Sequence, residues 1–558
     1  MDTRNTSNGG SLFIEALKDR NIDYIYCCPG TTEVSIIDAV AGRDDIKFIL
    51  FPFEGPAVAA ADGHARVTGQ PQVVMLHANV GLANGISQVY SAKMSLSPVV
   101  IINVIKPQAL LSHGGITSTT DEQEMVKQYT KWDWLSLRPE ELLEDIHRAF
   151  QIALKPPAGP TLLVIPQDVL EAAPVLDSVY TFPRGNKSYN ISPADGEIEK
   201  AASILAESRF PLIISGAGVG KENCIDELRE LADLISAGIC CESRRSLYHN
   251  SYPTGERRFL GPYDAVHPAT ERADVILALG AKLSVEFTSP QKPDIPKNIK
   301  LLHQHEDITE LDKLYKAEVA LCGSSRETIK KLLEALKPLM KDKVETKSDR
   351  EIIINELRDH WNKEQKNSLD EAAGKKPIKV RTLVESISQF MDSKTTVVID
   401  TPTSDAHLIE YLQRPNAFSC YGHCSGSLGW GTGAALGIKC GAPHQRVICV
   451  TGDGSFLFGV QSLWVAYKYR IPVIFIVINN KRDAAVRKGL LRYKGQAVDK
   501  NIFPGTDISG IDFVTLANSF SVEADKITEP KAIAPALDKA LQKNKPYLLE
   551  IIVDPDDF

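Results

Sequence analysis

The chain has 558 residues, 43% of them hydrophobic and 24% charged, an ordinary globular composition with enough apolar surface for several cores of normal domain size. A formal net charge of −8 supplies no basic stripe for a phosphate backbone and excludes electrostatically driven nucleic-acid binding. The ten cysteines form no CxxC pair and no zinc or disulfide spacing, Met1–Gly10 lacks the apolar core of a signal peptide, and no run of about 18 apolar residues argues for a membrane span. A soluble, cytoplasmic protein with free thiols is expected.

Three blocks alternate short β-branched apolar runs with longer amphipathic stretches, which predicts an α/β chain of three doubly wound parallel-sheet domains. In the first block, residues 1–173, strands are predicted at Tyr24–Cys28, Lys47–Leu50, Gln72–Leu76, Val99–Val104 and Thr161–Ile165. A Pro, Asn, Ser and Gly-rich linker, Pro174–Pro193, leads to a second block, 194–340, with strands at Pro211–Ser215, Ala237–Cys241, Val275–Leu279 and Lys300–His303. The charged run Leu336–Lys376 reads as a connector with one exposed helix. The third block, 376–558, has strands at Val397–Ile399, Val447–Thr451, Val473–Ile478 and Tyr547–Val553. No residue-level repeat links the blocks, although outer blocks of one fold could have diverged beyond recognition.

In the last block a buried strand runs into Gly452-Asp453-Gly454-Ser455, a helical run Phe456–Tyr469 follows, and the next strand ends at Asn479-Asn480. Such a βαβ unit puts Asp453 and Asn480 beyond the carboxyl ends of neighbouring strands, where ligands of α/β sheets sit. A carboxylate, an amide oxygen and a carbonyl just downstream are hard oxygen donors suited to Mg²⁺ or Ca²⁺, and the glycines allow N–H groups to face a diphosphate. Taken alone, Asp453 could equally cap the following helix. In the second block, Ser215-Gly216-Ala-Gly218-Val-Gly220-Lys221 fits neither nucleotide motif: Lys221 occupies the last glycine of GxGxxG, and a P-loop needs Gly at Ser215 and Ser or Thr at Glu222.

The pairing of Gly452-Asp453-Gly454-Ser455 with Asn479-Asn480 resembles the thiamine-diphosphate motif of the 2-oxo acid decarboxylase and acetolactate-synthase superfamily. The resemblance implies three domains: N-terminal pyrimidine-binding, central, and C-terminal diphosphate-binding. It implies Mg²⁺ held by Asp453, Asn480 and the Arg482 position, with Gly452, Gly454 and Ser455 at the diphosphate. Phe51-Pro-Phe-Glu54-Gly-Pro-Ala-Val-Ala-Ala-Ala-Asp-Gly63-His-Ala-Arg66 is similar to the family segment whose glutamate opens an Ala-rich helix and activates the cofactor through its aminopyrimidine ring. Tyr421-Gly-His423-Cys-Ser-Gly426-Ser-Leu428-Gly429 is similar to the loop whose large aliphatic residue, here Leu428, props the cofactor into a V while the Gly426 carbonyl takes its amino group. Because Glu54 and Asp453 fall on different blocks, the resemblance implies sites shared between subunits of a dimer or tetramer.

Two further phrases resemble benzoylformate decarboxylase. Pro29-Gly30-Thr31-Thr32-Glu33 matches its carboxylate-binding turn with Thr31 at the serine position, and Leu76-His77-Ala-Asn79 matches its catalytic-histidine phrase. Its second active-site histidine has no counterpart at Val285-Glu286-Phe287; His113 or His423 could substitute. The phrases His77–Asn84 and Lys131–Trp134 look closer to acetolactate-synthase-like proteins. The expected activity is thiamine-diphosphate-dependent, non-oxidative decarboxylation of a small 2-oxo acid, releasing an aldehyde or joining the acyl unit to a second carbonyl. Thr31, His77, Lys106, His113, His407 and His423 suggest a polar substrate. The alternatives are an FAD-containing acetolactate-synthase-like transferase and a catalytically silent thiamine-binding subunit.

Overall fold

A computed structural model describes residues 8–173, 189–242, 248–264, 266–283 and 293–557. The linker 174–188 and the Val285-Glu286-Phe287 phrase lie outside the described residues. Three six-stranded sheets carry the fold, and their strands pair in parallel. The first contains β1 (Tyr24–Cys28), β2 (Lys47–Leu50), β3 (Gln72–His77), β4 (Val99–Ile105), β5 (Trp132–Leu135) and β6 (Thr161–Pro166), in the order β2-β1-β3-β4-β6-β5. The second contains β7 (Pro211–Ser215), β8 (Gly238–Cys241), β9 (Phe259–Pro262), β10 (Val275–Leu279), β11 (Lys300–His305) and β12 (Val319–Cys322), in the order β12-β11-β10-β7-β8-β9. The third contains β13 (Thr395–Asp400), β14 (Cys420–Tyr421), β15 (Arg446–Gly452), β16 (Val473–Asn479), β17 (Glu523–Ile527) and β18 (Tyr547–Ile552), in the order β14-β13-β15-β16-β18-β17.

Counted within each block, the first and third sheets have one and the same strand order. The repeat invisible in the residues is present in the topology. Seven helices matter below: α1 (Glu54–Thr68), α2 (Ala78–Met94), α3 (Ala217–Lys221), α4 (Val344–Ala372), α5 (Trp430–Gly441), α6 (Asp453–Leu457) and α7 (Ser462–Lys468). Among the described residues no helix is long and apolar enough to cross a membrane.

Two expectations need correction. The helix expected over Phe456–Tyr469 is broken into α6 and α7. A Cβ on Gly459 would lie 2.1 Å from Thr432 Oγ1, and one on Gly429 would lie 2.7 Å from Phe458 Cβ, so the chain between the two helices is pressed onto the start of α5. The connector helix α4 is not simply exposed. Arg350 on it is fully buried and donates to the carbonyls of Ile235 (2.6 Å) and Ser208, and Trp361 packs edge-on against Phe259.

The outer blocks share one apolar cluster, which runs from Tyr26, Phe51 and Ala57–Ala61 to Val398, Trp430, Ala434 and Phe475. At its centre α1 crosses α5 with backbones nearly touching. A Cβ on Gly437 would stand 1.8 Å from Ala60 O, and one on Gly433 would stand 2.3 Å from Pro56 O. Only glycine permits such an approach. The expected outcome of Gly437→Ala is a loss of about 1–3 kcal/mol from overpacking, read as a lower Tm, whereas Gly196→Ala, at a position with nothing within 4 Å, leaves Tm unchanged or slightly raised.

Candidate active site

In each outer sheet the strand order reverses between the first and third strands of the block, β1/β3 and β13/β15, and α/β sheets bind ligands beyond the carboxyl ends of their strands at such a point. His77 ends β3 and Gly452-Asp453 ends β15. The two predicted functional positions therefore occupy equivalent places in the two blocks.

At the last block, Asp453 is 4% exposed, and its carboxylate accepts from Gly454 N (2.8 Å) and Lys481 N (2.7 Å). It thereby joins the end of β15 to the turn after β16. Burial pushes its pKa up to about 6, against the opposing pull of backbone N–H groups from Gly454, Lys481, Asn480 and Arg482. A bound cation would relieve that desolvation. The side-chain oxygen of Asn480 accepts from Arg482 N (2.9 Å), the Arg482 carbonyl accepts from Ala484 N (3.0 Å), and the Arg482 guanidinium pairs with Asp556 (2.9 Å). Arg482 can thus offer a cation its carbonyl but not its charged end. Among the described residues no group of three His, Cys, Asp or Glu is placed to hold a metal; a cation held here needs oxygens from a ligand, as a diphosphate provides. The cradle fits that ligand. Among the described residues, a Cβ on Gly452 would meet only Ser455 Oγ within 4 Å, and Ser455 Oγ is buried without a hydrogen-bond partner.

At the first block, Phe53 is the extended residue that starts α1, and Glu54 is its first helical position, 8% exposed. The Glu54 carboxylate accepts from Asn84 Nδ2 (3.1 Å) on α2. A Cβ on Gly81 would lie 3.2 Å from Glu54 Oε1, so this glycine leaves room for the carboxylate. Asn84 and Gly81, both within the His77–Asn84 phrase, are neighbours of Glu54 whose role no local motif reveals. One turn further along α2, Ser87 Oγ lies 2.6 Å from Ser427 Oγ, and Gln88 Nε2 donates to Leu428 O (3.1 Å). Residues that the resemblance distributes over two subunits, the Glu54 neighbourhood and the Leu428 loop, are in contact within one chain. In that loop Gly426 is exposed with φ +72°, and Leu428 is half-buried.

His77 is held from behind. Its Nδ1 lies 3.1 Å from Glu33 Oε2 and 3.0 Å from Thr32 Oγ1. Glu33 is fully buried and also accepts from Gly30 N (2.8 Å) and Thr32 Oγ1 (2.9 Å). The hydrogen bond to Glu33 raises the His77 pKa, burial opposes the shift, and Glu54 and Lys106 act on it electrostatically in opposite directions. A Cβ on Gly30 would stand 2.3 Å from His77 Nδ1, which makes the glycine a requirement of the ring's seat. The next residue, Ala78, adopts a left-handed φ of +47°, a conformation a non-glycine residue holds only when its surroundings impose it. Asn103, buried on β4, supplies that constraint by donating to both Leu76 O (2.9 Å) and Ala78 O (2.7 Å).

Other candidates disperse. Thr31 is exposed, and its neighbour Thr32 is the hydroxyl that reaches His77. His113 lies on an exposed turn and, among the described residues, makes no hydrogen bond or ion pair with His77. His423 sits between Asp400 Oδ1 (3.3 Å) and Ser425 Oγ (3.1 Å) at the root of the Leu428 loop, and His407 lies against Tyr411.

Three family models match successive parts of the chain: the N-terminal TPP binding domain of thiamine pyrophosphate enzymes over residues 7–125, their central domain over 198–332, and their C-terminal TPP binding domain over 403–551. The probable acetolactate synthase large subunit of Methanocaldococcus jannaschii is 29% identical over 98% of this chain and 92% of its own length. Benzoylformate decarboxylase of Pseudomonas aeruginosa is 25% identical over 97% of this chain and 98% of its own length. The solved thiamine diphosphate-dependent 4-hydroxybenzoylformate decarboxylase of Rhodococcus jostii superposes with a TM-score of 0.83 at 22% identity, over 99% of this chain and 100% of that one. From its first block to its last, the chain belongs to the thiamine pyrophosphate enzymes, of the acetolactate synthase and benzoylformate decarboxylase type.

Proposed function

We propose that this protein is a Mg²⁺-dependent decarboxylase or carboligase of a small 2-oxo acid. The observation that carries the reading is the buried Glu54 carboxylate, fixed by Asn84 beside the Leu428 loop, in a chain whose opposite sheet presents the open Gly452-Asp453 cradle. Thiamine diphosphate, when bound, supplies a nucleophilic carbon and an electron sink that allow a 2-oxo acid to lose CO₂. In this reading Asp453, Asn480 and the Arg482 carbonyl hold Mg²⁺, and Gly452, Gly454 and Ser455 face the diphosphate. Glu54 would hold a proton toward the aminopyrimidine ring, the Gly426 carbonyl would accept from its amino group, and Leu428 would pack against the cofactor.

His77, with Nδ1 tied to Glu33, keeps Nε2 for donating or accepting protons at the substrate, and Thr31 at the rim binds the substrate carboxylate. His113 would enter only if its turn moved inward. Within this reading, similarity to acetolactate synthase subunits along nearly the whole chain supports the carboligase outcome. The protein acts as a homodimer or tetramer in the cytoplasm.

Purified protein with thiamine diphosphate, Mg²⁺ and a panel of 2-oxo acids releases CO₂ from at least one of them, and Glu54→Gln lowers that rate by about 10²-fold or more with cofactor still bound. Absence of CO₂ from every acid, despite bound cofactor, sinks the proposal. Subunit sharing is tested by mixing Glu54→Gln chains with Asp453→Ala chains. Sites built across a subunit boundary regain activity in the mixed oligomer, because one site then has both native residues; sites built within a chain stay inactive.

The Glu33–His77 pair predicts a pH effect of defined sign. Because the folded pKa of His77 is raised, its stabilisation is complete below the ordinary histidine value of about 6.5 and fades as pH rises through the folded value. The gap in Tm between the native protein and Glu33→Gln is therefore wider near pH 5.5 than near pH 8, at roughly the limits of histidine titration. A gap of constant width argues against the pair.

A further inference from the structure

Gly216-Ala217-Gly218-Val219-Gly220-Lys221, at the carboxyl end of β7, has the ingredients of a phosphate cradle: glycines, the start of α3 and a lysine. Its space is already taken by protein. A Cβ on Gly216 would lie 2.2 Å from Ala281 Cα, one on Gly218 2.8 Å from Gly280 Cα, and one on Gly220 1.9 Å from Asn250 O. These glycines admit neighbouring backbone. Gly452, by contrast, meets only one side-chain atom within 4 Å, as a cradle open to a ligand should.

The donors at the central turn are also engaged. Ala217 N donates to Glu242 Oε1 (2.5 Å), and Lys282 N, beyond the end of β10, donates to Glu242 Oε2 (3.1 Å). Glu242 is 1% exposed. Its carboxylate spans two strand ends and receives the backbone N–H groups that a phosphate would need there. Both lysines at these strand ends are engaged as well: Lys221 pairs with Glu306 (2.6 Å), and the Lys282 ammonium donates to Met94 O at the end of α2 in the first block.

We infer that, among the described residues, the glycine turn of the central block is closed to the diphosphate of dinucleotide cofactors, FAD included, because Glu242 is the protein's own anion at the place where that diphosphate would bind and backbone fills the turn. A diphosphate entering there would have to displace a buried carboxylate from its donors and would face its negative charge at short range. The geometry favours a central block that buttresses the first through Lys282, leaving cofactor chemistry to the outer blocks. This inference concerns the central block alone and stands or falls independently of the 2-oxo acid reading.

The test uses the intact protein loaded with thiamine diphosphate and Mg²⁺. It is expected to be colourless, to release no flavin on acid denaturation, and to give no saturable binding heat with FAD or with ADP. Stoichiometric flavin in the purified protein, or saturable binding of either nucleotide, overturns the inference, whether or not any 2-oxo acid is turned over. A second measurement addresses Glu242 itself: inorganic phosphate raises the Tm of Glu242→Ala but not that of the native protein, since only the variant has free N–H donors at the turn. An equal response of the two proteins to phosphate, or none in the variant, overturns the assignment of the carboxylate to an anion's place. Should Glu242→Ala not fold, the nucleotide titrations of the native protein decide alone.

Discussion

The crossing of α1 on α5 is the contact on which the rest of the molecule depends. It is made of glycine and alanine, so backbone meets backbone, and a buried polar cluster fixes its orientation. Arg66 makes two bonds to Asp62 (2.8 and 2.5 Å), Asp62 also accepts from Trp430 Nε1 (2.7 Å), and Arg66 reaches Gly422 O (2.6 Å) and Ser95 Oγ (2.7 Å). A buried ion pair contributes little by itself, but one whose charged groups also bond to further partners helps to specify a single arrangement at small net cost. Here it ties the first block to the exact turn, 422–430, that carries Gly426 and Leu428.

Everything placed around the site follows from that anchor. Glu54 opens α1, and the Leu428 loop leads into α5, so fixing the two helices brings the carboxylate's neighbours Ser87 and Gln88 against the loop. The shared strand order of the outer sheets then puts His77 and Asp453 at equivalent strand ends of the two blocks. The site is polar and pre-shaped. Its supports, Glu33, Asn84, Asn103 and Gly30, are single residues whose side chains, or lack of one, have no other evident task.

The central block has the same kind of sheet and a comparable glycine turn, yet its chemistry is different. Its turn is filled by backbone and by Glu242, and Lys282, beyond the end of β10, reaches out to Met94 O. That same carbonyl accepts from Cys424 Sγ (3.4 Å) of the Leu428 loop. One carbonyl at the end of α2 thus gathers all three blocks behind the Leu428 loop.

Much of this was legible in the amino-acid sequence. The strands buried on both faces announce themselves as continuous β-branched runs, and the Gly452–Ser455 and Asn479-Asn480 phrases point to the thiamine pyrophosphate enzymes, the family that the three domain matches show. The five strands that escaped the pattern, β5, β9, β12, β14 and β17, all lie at sheet edges, where one flank is open and the residues need not be uniformly apolar, as Glu523-Ala-Asp-Lys-Ile527 illustrates. Side-chain partnership was beyond reach for a different reason. That Glu33 and Thr32 hold His77, that Asn84 holds Glu54, and that Glu242 occupies the central turn depend on residues 25 to 45 positions apart meeting in space. Local sequence determines periodicity and motif. Only the packing of α1 on α5 and the pairing of distant strands decides which polar groups share a buried space.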